Sequence, residues 1–370
     1  MNNFKQQGIK QKIAQNDLDA NISSFQFQGL FANVQKYKFQ NQEKQLSMIN
    51  QEKKLFQYSL IAKSTKKQEE NCYAIEINQD MTLIIFGCNN KIKVNSFDSG
   101  NFKEIQTLEG HTDNVTTLNF LNELNNIISG SDDKQIIIWQ QNQQQLWGIL
   151  QILEGHSGQI NCVLINYSHN LIISCSWDKT IKFWIKQNNW KCYQTISEHT
   201  SAVFQLSLND AQNKLISCGI DQFILVMEYS NNDQQWIIIK KIWTSLQGNR
   251  LCFLNDNIFA FQPDNKEIIQ IYEINNTKKL YEKKNEIAVQ GSYDGSVLFP
   301  QKFIKEKSIL VNKYYKFINL IKLDHNGQLL QKFTIEFSTY GIFGTMSSNG
   351  EYLITWNYKT KEIELRKLND

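Results

Sequence analysis

The chain has 370 residues, 41% of them hydrophobic and 12% aromatic, and its formal net charge at pH 7 is +3. This length exceeds what one ordinary hydrophobic core needs, so it predicts either several domains or one repeat architecture. The sequence holds two arginines, Arg250 and Arg366, whereas nucleic-acid-binding surfaces are usually rich in arginine. We therefore expect no nucleic-acid partner.

Residues 1–53 differ in composition from the rest of the chain. They are rich in glutamine, asparagine and lysine, and the stretch "NQEKQLSMINQEKKLF" has the spacing of one short helix. Segments of this kind bury little apolar surface. We expect an appended N-terminal arm that is partly helical or disordered. The arm also lacks the apolar stretch of a secretory signal.

Residues 54–370 consist of short apolar runs separated by polar turns. Runs such as "CYAIEI", "TLIIFG", "QIIIW" and "LIISCS" are rich in isoleucine, valine and aromatic residues. This pattern predicts an all-β fold. The longest apolar runs are far shorter than the roughly 20 residues of a membrane-spanning helix. We therefore expect a cytoplasmic protein without a membrane span.

The seven cysteines include no C-x-x-C pair, and most lie in apolar runs such as "KLISCG". They predict reduced thiols in the protein core. A zinc site would need ligands paired at short spacing. We expect neither a bound metal nor a cofactor.

Three segments of the chain align without gaps, which indicates an internal repeat. Each segment has a histidine, a serine 18 residues later and an aspartate 22 residues later. Six residues after the aspartate comes a tryptophan, or in the third copy a methionine. The residues at these positions are His111, Ser129, Asp133 and Trp139; His156, Ser174, Asp178 and Trp184; and His199, Ser217, Asp221 and Met227.

The histidine, serine and aspartate of each repeat allow two interpretations. These are the residue types of a hydrolase triad. A triad occurs once per active site, however, and the sequence contains no G-x-S-x-G motif. Recurrence at a fixed spacing favours a structural element of each repeat, so we predict no catalytic residues.

The dipeptides Gly110-His111 and Gly155-His156, with the "S-x-S-x-D-K-x-I-x-x-W" runs that end at Trp139 and Trp184, resemble the WD40-repeat family. The resemblance implies one four-stranded propeller blade per repeat. It also implies a hydrogen-bonded chain from the tryptophan through serine and histidine to the aspartate. Met227 cannot donate the indole hydrogen bond, so we expect a shortened chain in that blade.

The resemblance extends to a seven-bladed β-propeller over residues 54–370. Residues 70–107 fit one degenerate blade before the three clear repeats, with Phe86 and Asn90 nearest the serine and aspartate positions. Three further blades follow the clear repeats, and the last has three strands before the chain ends. Residues 54–62 would supply its missing outer strand and close the ring. A different division of the degenerate segments would give six or eight blades.

In WD40 proteins, partners mostly bind one face of the propeller. By resemblance, that face carries the third and fifth residues after each histidine and the residue before each aspartate. Here these are Asn114, Thr116 and Asp132; Gln159, Asn161 and Trp177; and Ala202, Phe204 and Ile220. Trp177, Phe204 and Ile220 would form an apolar anchor for a protein or peptide partner. Alternatively, they pack on one another or under the N-terminal arm.

These residues predict a non-catalytic interaction scaffold or adaptor, as a subunit of a larger complex. A second aromatic set, Trp147, Trp190 and Trp236, starts the predicted outer strands and would cover the outer rim. The stretch "WKCYQTISEHTSAV" resembles one junction of the WD40 subunit that recruits clients in cytosolic iron–sulfur protein assembly, which is an alternative.

An enzyme is the less favoured alternative. Asp264, Glu267 and Glu273 lie near one another in sequence, and His325 follows Asp324. Neither group has a spacing that imposes shared chemistry, and no phosphate-binding or metal-binding motif occurs.

Overall fold

The computed structural model describes residues 56–121, 126–275, 277–278, 280–292 and 298–369. The predictions for residues 1–53 lie outside these ranges. Among the described residues, no helix has the length and apolar character needed to cross a membrane. The regular secondary structure of the described residues is β-strand, apart from two short 3-10 turns, Ala62–Ser64 and Lys305–Lys307.

The strands form seven antiparallel sheets, and each sheet is one blade of a β-propeller. Two strands precede the first complete blade, β1 (Gln57–Leu60) and β2 (Lys66–Lys67). Blade 1 contains β3 (Cys72–Ile77), β4 (Leu83–Cys88), β5 (Lys91–Asp98) and β6 (Asn101–Glu109). Blade 2 contains β7 (Val115–Leu121), β8 (Asn126–Ser131), β9 (Ile136–Gln141) and β10 (Trp147–Leu153). Blade 3 contains β11 (Ile160–Ile165), β12 (Leu171–Ser176), β13 (Ile181–Lys186) and β14 (Trp190–Ile196).

The remaining blades follow in chain order. Blade 4 contains β15 (Val203–Leu208), β16 (Lys214–Gly219), β17 (Phe223–Ser230) and β18 (Gln235–Trp243). Blade 5 contains β19 (Gly248–Phe253), β20 (Ile258–Pro263), β21 (Ile268–Asn275) and β22 (Leu280–Ala288). Blade 6 contains β23 (Lys302–Ile304), β24 (Ile309–Tyr314), β25 (Phe317–Leu323) and β26 (Leu329–Glu336). Blade 7 contains β27 (Ile342–Met346), β28 (Tyr352–Asn357) and β29 (Glu362–Asn369), with β1 as its outermost strand. The predicted all-β fold with seven blades is confirmed.

Blade 7 joins the two ends of the described chain. Gln57 of β1 pairs with Asn369 of β29, and Leu60 pairs with Arg366, in antiparallel register. The hydroxyl of Tyr58 donates a hydrogen bond to the carbonyl oxygen of Gly350. The ring is thus closed by backbone pairing, which covers the outer edge of β29 and gives the last blade its fourth strand.

Seven apolar clusters form the core, and each combines residues of two adjacent blades. Val94 of blade 1, for example, clusters with Leu118 and Ile137 of blade 2. The second strand of a blade is covered on both faces, and all six residues of β8 are buried. This explains why such strands read as unbroken apolar runs rather than alternating ones. A single blade therefore lacks a core of its own.

The propeller has two faces, which we name by their turns. The top face carries the turns between second and third strands and the connections between blades. The lower face carries the turns between first and second strands. The first strands of the blades surround a central channel.

Candidate functional site

In blade 2, His111 connects three side chains. Its Nδ1 lies 2.8 Å from Oδ2 of Asp133, and its Nε2 lies 2.7 Å from Oγ of Ser129. Trp139 Nε1 donates to the same serine oxygen at 2.9 Å. With a proton on Nδ1, every donor finds an acceptor: the indole N–H bonds the serine, the hydroxyl bonds Nε2, and Nδ1–H bonds the carboxylate.

Blade 3 repeats this arrangement. His156 Nδ1 lies 2.7 Å from Oδ2 of Asp178, and Nε2 lies 2.8 Å from Oγ of Ser174. Trp184 Nε1 donates to Ser174 Oγ at 2.9 Å. Thr180 adds a hydrogen bond from its hydroxyl to Asp178 Oδ1 at 2.6 Å.

Blade 4 holds the shorter chain that Met227 implies. His199 Nδ1 lies 2.8 Å from Asp221 Oδ2, and Nε2 lies 2.8 Å from Ser217 Oγ. Met227 is completely buried on β17, and its thioether has no N–H to donate to the serine.

The aspartates of these networks are held in their charged form. Burial by itself would raise the pKa of Asp178, but hydrogen bonds from His156, Thr180 and the backbone N–H of Ser157 outweigh it and hold the pKa below its usual value. The pKa values of Asp133 and Asp221 are lowered in the same way against the effect of burial. The His156 side chain is 1% exposed and that of Asp178 is 6% exposed. The networks are therefore enclosed inside the blades, where they connect two strands and a turn.

The nine residues expected on the top face divide by exposure. Gln159 and Trp177 are exposed, and Asn114, Asp132 and Ile220 are half-buried. The expectation of a surface position needs correction at four residues, which are buried: Thr116, Asn161, Ala202 and Phe204.

The cause of this burial is visible at the fifth residue after each histidine. That residue lies in the first strand of a blade, beside the first strand of the next blade. Thr116 Oγ1 donates to the carbonyl oxygen of Ile160, and Asn161 Nδ2 donates to that of Val203 at 2.7 Å. These side chains hold neighbouring blades together instead of facing solvent.

Trp177 is the exposed aromatic residue of this set. Its side chain lies on the top face in the turn between β12 and β13, with 47% of its surface exposed. The ring packs edge-on against Phe204 of blade 4, with centroids 6.0 Å apart. Its backbone N–H donates to the carbonyl oxygen of Gln159 at 2.9 Å. A side chain at Gly158 would come within 2.7 Å of the Asp178 backbone nitrogen, so glycine allows the neighbouring loop to lie against this turn.

The family comparison identifies the repeats. The family described as "WD domain, G-beta repeat" matches residues 102–140, 147–184 and 190–226. Three repeats of this propeller are WD40 repeats. No curated protein matches the sequence.

The WD40 repeats are offset from the blades. Residues 102–140 span β6 to β9, so the repeat joins the outer strand of blade 1 to three strands of blade 2. Residues 147–184 and 190–226 span β10 to β13 and β14 to β17 in the same way. Each repeat therefore links two blades covalently, in addition to the core that the blades share.

A set of glutamines, which the sequence interpretation missed, also links the outer strands of adjacent WD40 blades. Gln151 of β10 receives the backbone N–H of Trp190 at 2.9 Å and donates to its carbonyl oxygen at 2.8 Å. Equivalent pairs join Gln106 to Trp147 and Gln194 to Trp236. The three tryptophans are buried at the rim. A glutamine about 40 residues before each tryptophan was a signal in the sequence.

Blades 5 and 6 lack the WD40 histidine and contain a chain of buried amides instead. Gln262 Nε2 donates to the carbonyl oxygens of Pro263, Lys266 and Ile268, each at 3.0 Å. The other residues of the chain are Asn312, Gln301 and Gln205. The spacing of these residues in the sequence does not predict this chain of amides.

Segment 298–305 of blade 6 crosses the central channel. Gln205 of blade 4 forms two hydrogen bonds with the backbone of Gln301. Arg250 of blade 5 donates from Nε to the carbonyl oxygen of Phe299 at 2.8 Å. Lys302 lies 3.3 Å from the carboxylate of Glu76 in blade 1. The segment therefore contacts blades 1 and 4, each two positions away in the ring, as well as the adjacent blade 5.

Three of the residues weighed for an enzyme, Asp264, Glu273 and Asp324, have structural partners. Asp264 is buried and accepts a hydrogen bond from Asn249 Nδ2 at 2.9 Å. Glu273 forms an ion pair with Lys284 at 2.7 Å. Asp324 accepts backbone N–H groups within its own turn. Within the part of the chain that the structure describes, no group of three or more histidine, cysteine, aspartate or glutamate residues is placed to hold a metal ion.

Proposed function

We propose that this protein is a non-catalytic scaffold that binds a protein or peptide on its top face, with Trp177 as the main contact. WD40 propellers generally serve as interaction scaffolds, and three WD40 repeats form the matched part of this chain. The observation that carries the proposal is an exposed tryptophan held on a rigid support.

The support beneath Trp177 matters because binding costs free energy when a side chain loses conformational freedom. Phe204 is buried beneath Trp177 and restricts its ring. A tryptophan that is already ordered loses less entropy on binding than a freely rotating one. Tryptophan is also enriched among the residues that dominate interface energies. Half-buried Ile220 and exposed Gln159 supply further top-face positions.

The test compares Trp177→Ala with a matched control, Trp243→Ala. Trp243 is 66% exposed at the end of β18, the outer strand of blade 4. Each tagged full-length variant is expressed in the native source and its co-purifying proteins are quantified by mass spectrometry. We expect at least one partner to be lost with Trp177→Ala and retained with Trp243→Ala. An identical set of partners from both variants and the wild type would contradict the proposal.

A further inference from the structure

Cys72 and Cys88 face each other inside blade 1. Cys72 is the first residue of β3 and Cys88 is the last residue of β4, and the two are directly opposite in the antiparallel register. Both are free thiols with 0% exposure, and their sulfur atoms lie 2.8 Å apart. Unbonded carbon atoms pack at about 3.5–4.0 Å and sulfur is larger than carbon, so these two atoms are closer than ordinary packing brings them.

The pair has the geometry that a disulfide requires. Opposite residues of two antiparallel strands have Cα atoms about 4.5 or 5.5 Å apart, which lies within the range of about 4.4–6.8 Å found in disulfides. A sulfur–sulfur bond is about 2.05 Å long, so the two sulfur atoms have to approach by less than about 1 Å. The backbones of β3 and β4 can therefore stay in register when the bond forms.

Blade 1 lacks the network that connects strands and turn in blades 2 to 4. Phe86 and Asn90 occupy the positions of the network serine and aspartate. Cys88 occupies the position of Ser131, whose Oγ holds the top-face turn of blade 2 through a backbone hydrogen bond of 3.0 Å. A bond from Cys88 to Cys72 would connect the first two strands of blade 1 at the point where blade 2 has this serine.

A local opening is enough to expose the two thiols. They occupy strand ends beside the half-buried Asn71 and Asn89, whose backbones are joined by one hydrogen bond of 2.8 Å. The Cys72 thiol donates to the carbonyl oxygen of Glu70 at 3.8 Å, and the Glu70 carboxylate pairs with Lys93 at the surface. Fraying of strand ends costs much less free energy than the opening of a whole blade. A small oxidant therefore reaches the pair without unfolding of the propeller.

Burial keeps the pair unreactive while blade 1 is closed. It raises the pKa of the Cys72 thiol, and a protonated thiol reacts much more slowly than a thiolate. Reaction with an oxidant therefore requires the opened strand ends.

We propose that Cys72 and Cys88 are a redox-sensitive pair, which a peroxide oxidises to a disulfide that links β3 to β4. One thiolate attacks hydrogen peroxide, so a sulfur–oxygen bond forms, the oxygen–oxygen bond breaks and hydroxide leaves. The other thiolate attacks the oxidised sulfur, a sulfur–sulfur bond forms and the second oxygen leaves as hydroxide. The two thiol protons convert both hydroxides to water, and two electrons pass from sulfur to the peroxide. This inference does not depend on the proposed partner surface.

The experiment treats the folded full-length protein with hydrogen peroxide, alkylates the remaining thiols in urea and maps the unreduced peptides by mass spectrometry. We expect a peptide that links Cys72 to Cys88, and we expect dithiothreitol to restore both thiols. Cys252 is the control, because it is also buried but lies opposite Ala260, and it should remain a free thiol. The exposed Cys192 shows that the peroxide is active.

A second measurement compares the melting temperatures of the reduced and the oxidised protein. The bond closes a loop whose ends are 16 residues apart and restricts the unfolded chain, so we expect oxidation to raise the melting temperature by at least about 2 °C. The double variant Cys72→Val with Cys88→Ser reproduces the blade 2 residues Val115 and Ser131, and it should show no such rise. The peptide map of the wild type remains decisive if this variant does not fold.

Three results would each overturn the proposal. The first is that Cys72 and Cys88 remain free thiols at a peroxide concentration that fully oxidises Cys192. The second is oxidation of either residue to a sulfinic acid without the link. The third is a linked protein that melts at a lower temperature than the reduced one.

Discussion

Lys305 of blade 6 contacts Tyr167 of blade 3 across the lower mouth of the central channel. The Lys305 ammonium lies 3.5 Å from the Tyr167 hydroxyl oxygen and 5.9 Å from the ring centroid. The same ammonium pairs with Asp210 of blade 4. Blades 3 and 6 are on opposite sides of the ring, and this side chain connects them at the lower mouth.

We predict that Lys305→Ala opens the lower mouth of the central channel without destabilising the fold. The ion pair is partly exposed, with 48% and 36% of the two side chains accessible, so its loss should change the free energy of unfolding by less than about 1 kcal/mol. Cys162 lines the cavity inside the central channel, whereas Cys218 does not. N-ethylmaleimide should label Cys162 severalfold faster in the variant, as measured by mass spectrometry, with Cys218 as the internal control. Unchanged labelling of Cys162 would show that Lys305 does not close the mouth.

Asp178→Ala should lower the free energy of unfolding by about 3 kcal/mol. The substitution removes the acceptor of His156 Nδ1–H and of two further donors in a buried network, the Ser157 backbone N–H and the Thr180 hydroxyl. Asp132→Ala is the matched control, because Asp132 is half-buried and bonds one side chain, Asn114, at 3.2 Å. Urea denaturation measures both. Equal effects of the two substitutions would contradict a special role for the network.

Because the networks contain charged aspartates, we expect the folded protein to lose stability in acid. The folded-state pKa of Asp178 is lowered relative to the unfolded chain, where it is about 3.9. The unfolded state then binds more protons below that value, so stability falls as the pH falls. The contribution is fully present above the unfolded pKa and is lost as the pH drops through the folded pKa. Melting temperature measured from pH 6 downward should decline less steeply in Asp178→Asn, and an unchanged slope would be evidence against this linkage.

The substitution Phe204→Leu should weaken partner binding, although the buried Phe204 itself does not contact the partner. Leucine retains an apolar side chain at this buried position but removes the aromatic ring on which Trp177 packs. Trp177 would gain freedom that binding must then remove. We expect recovery of the Trp177-dependent partner to fall between the wild type and Trp177→Ala, with a melting temperature within a few degrees of the wild type. Recovery equal to the wild type would mean that the support is irrelevant.

Gln151→Leu should destabilise the WD40 blades by about 1–3 kcal/mol, because it leaves both backbone groups of Trp190 without their side-chain partner. Gln144→Leu is the control, since Gln144 is exposed in the turn before β10. Urea denaturation compares the two. A destabilisation no larger than that of the control would indicate that water replaces the glutamine.

The internal repeat determined the architecture from sequence alone. The spacing of histidine, serine, aspartate and tryptophan places one network in each of blades 2 to 4, because the spacing is set within a single blade and its preceding turn. Met227 was equally informative, since an absent N–H can be recognised from the residue type. The position of Trp177 in a turn followed from the resemblance to WD40 repeats, whereas its exposure stayed open until the structure showed it.

Only the tertiary structure decided how blades meet. The burial of Asn161 depends on the neighbouring blade, because its amide bonds the carbonyl oxygen of Val203, 42 residues later in the sequence. The amide chain of Gln262, Asn312 and Gln301 and the reach of Lys305 to Tyr167 join positions up to 138 residues apart. A periodic sequence pattern predicts contacts that recur in every repeat, whereas these contacts occur once. The sequence therefore could not predict the central cavity, which depends on the closed ring.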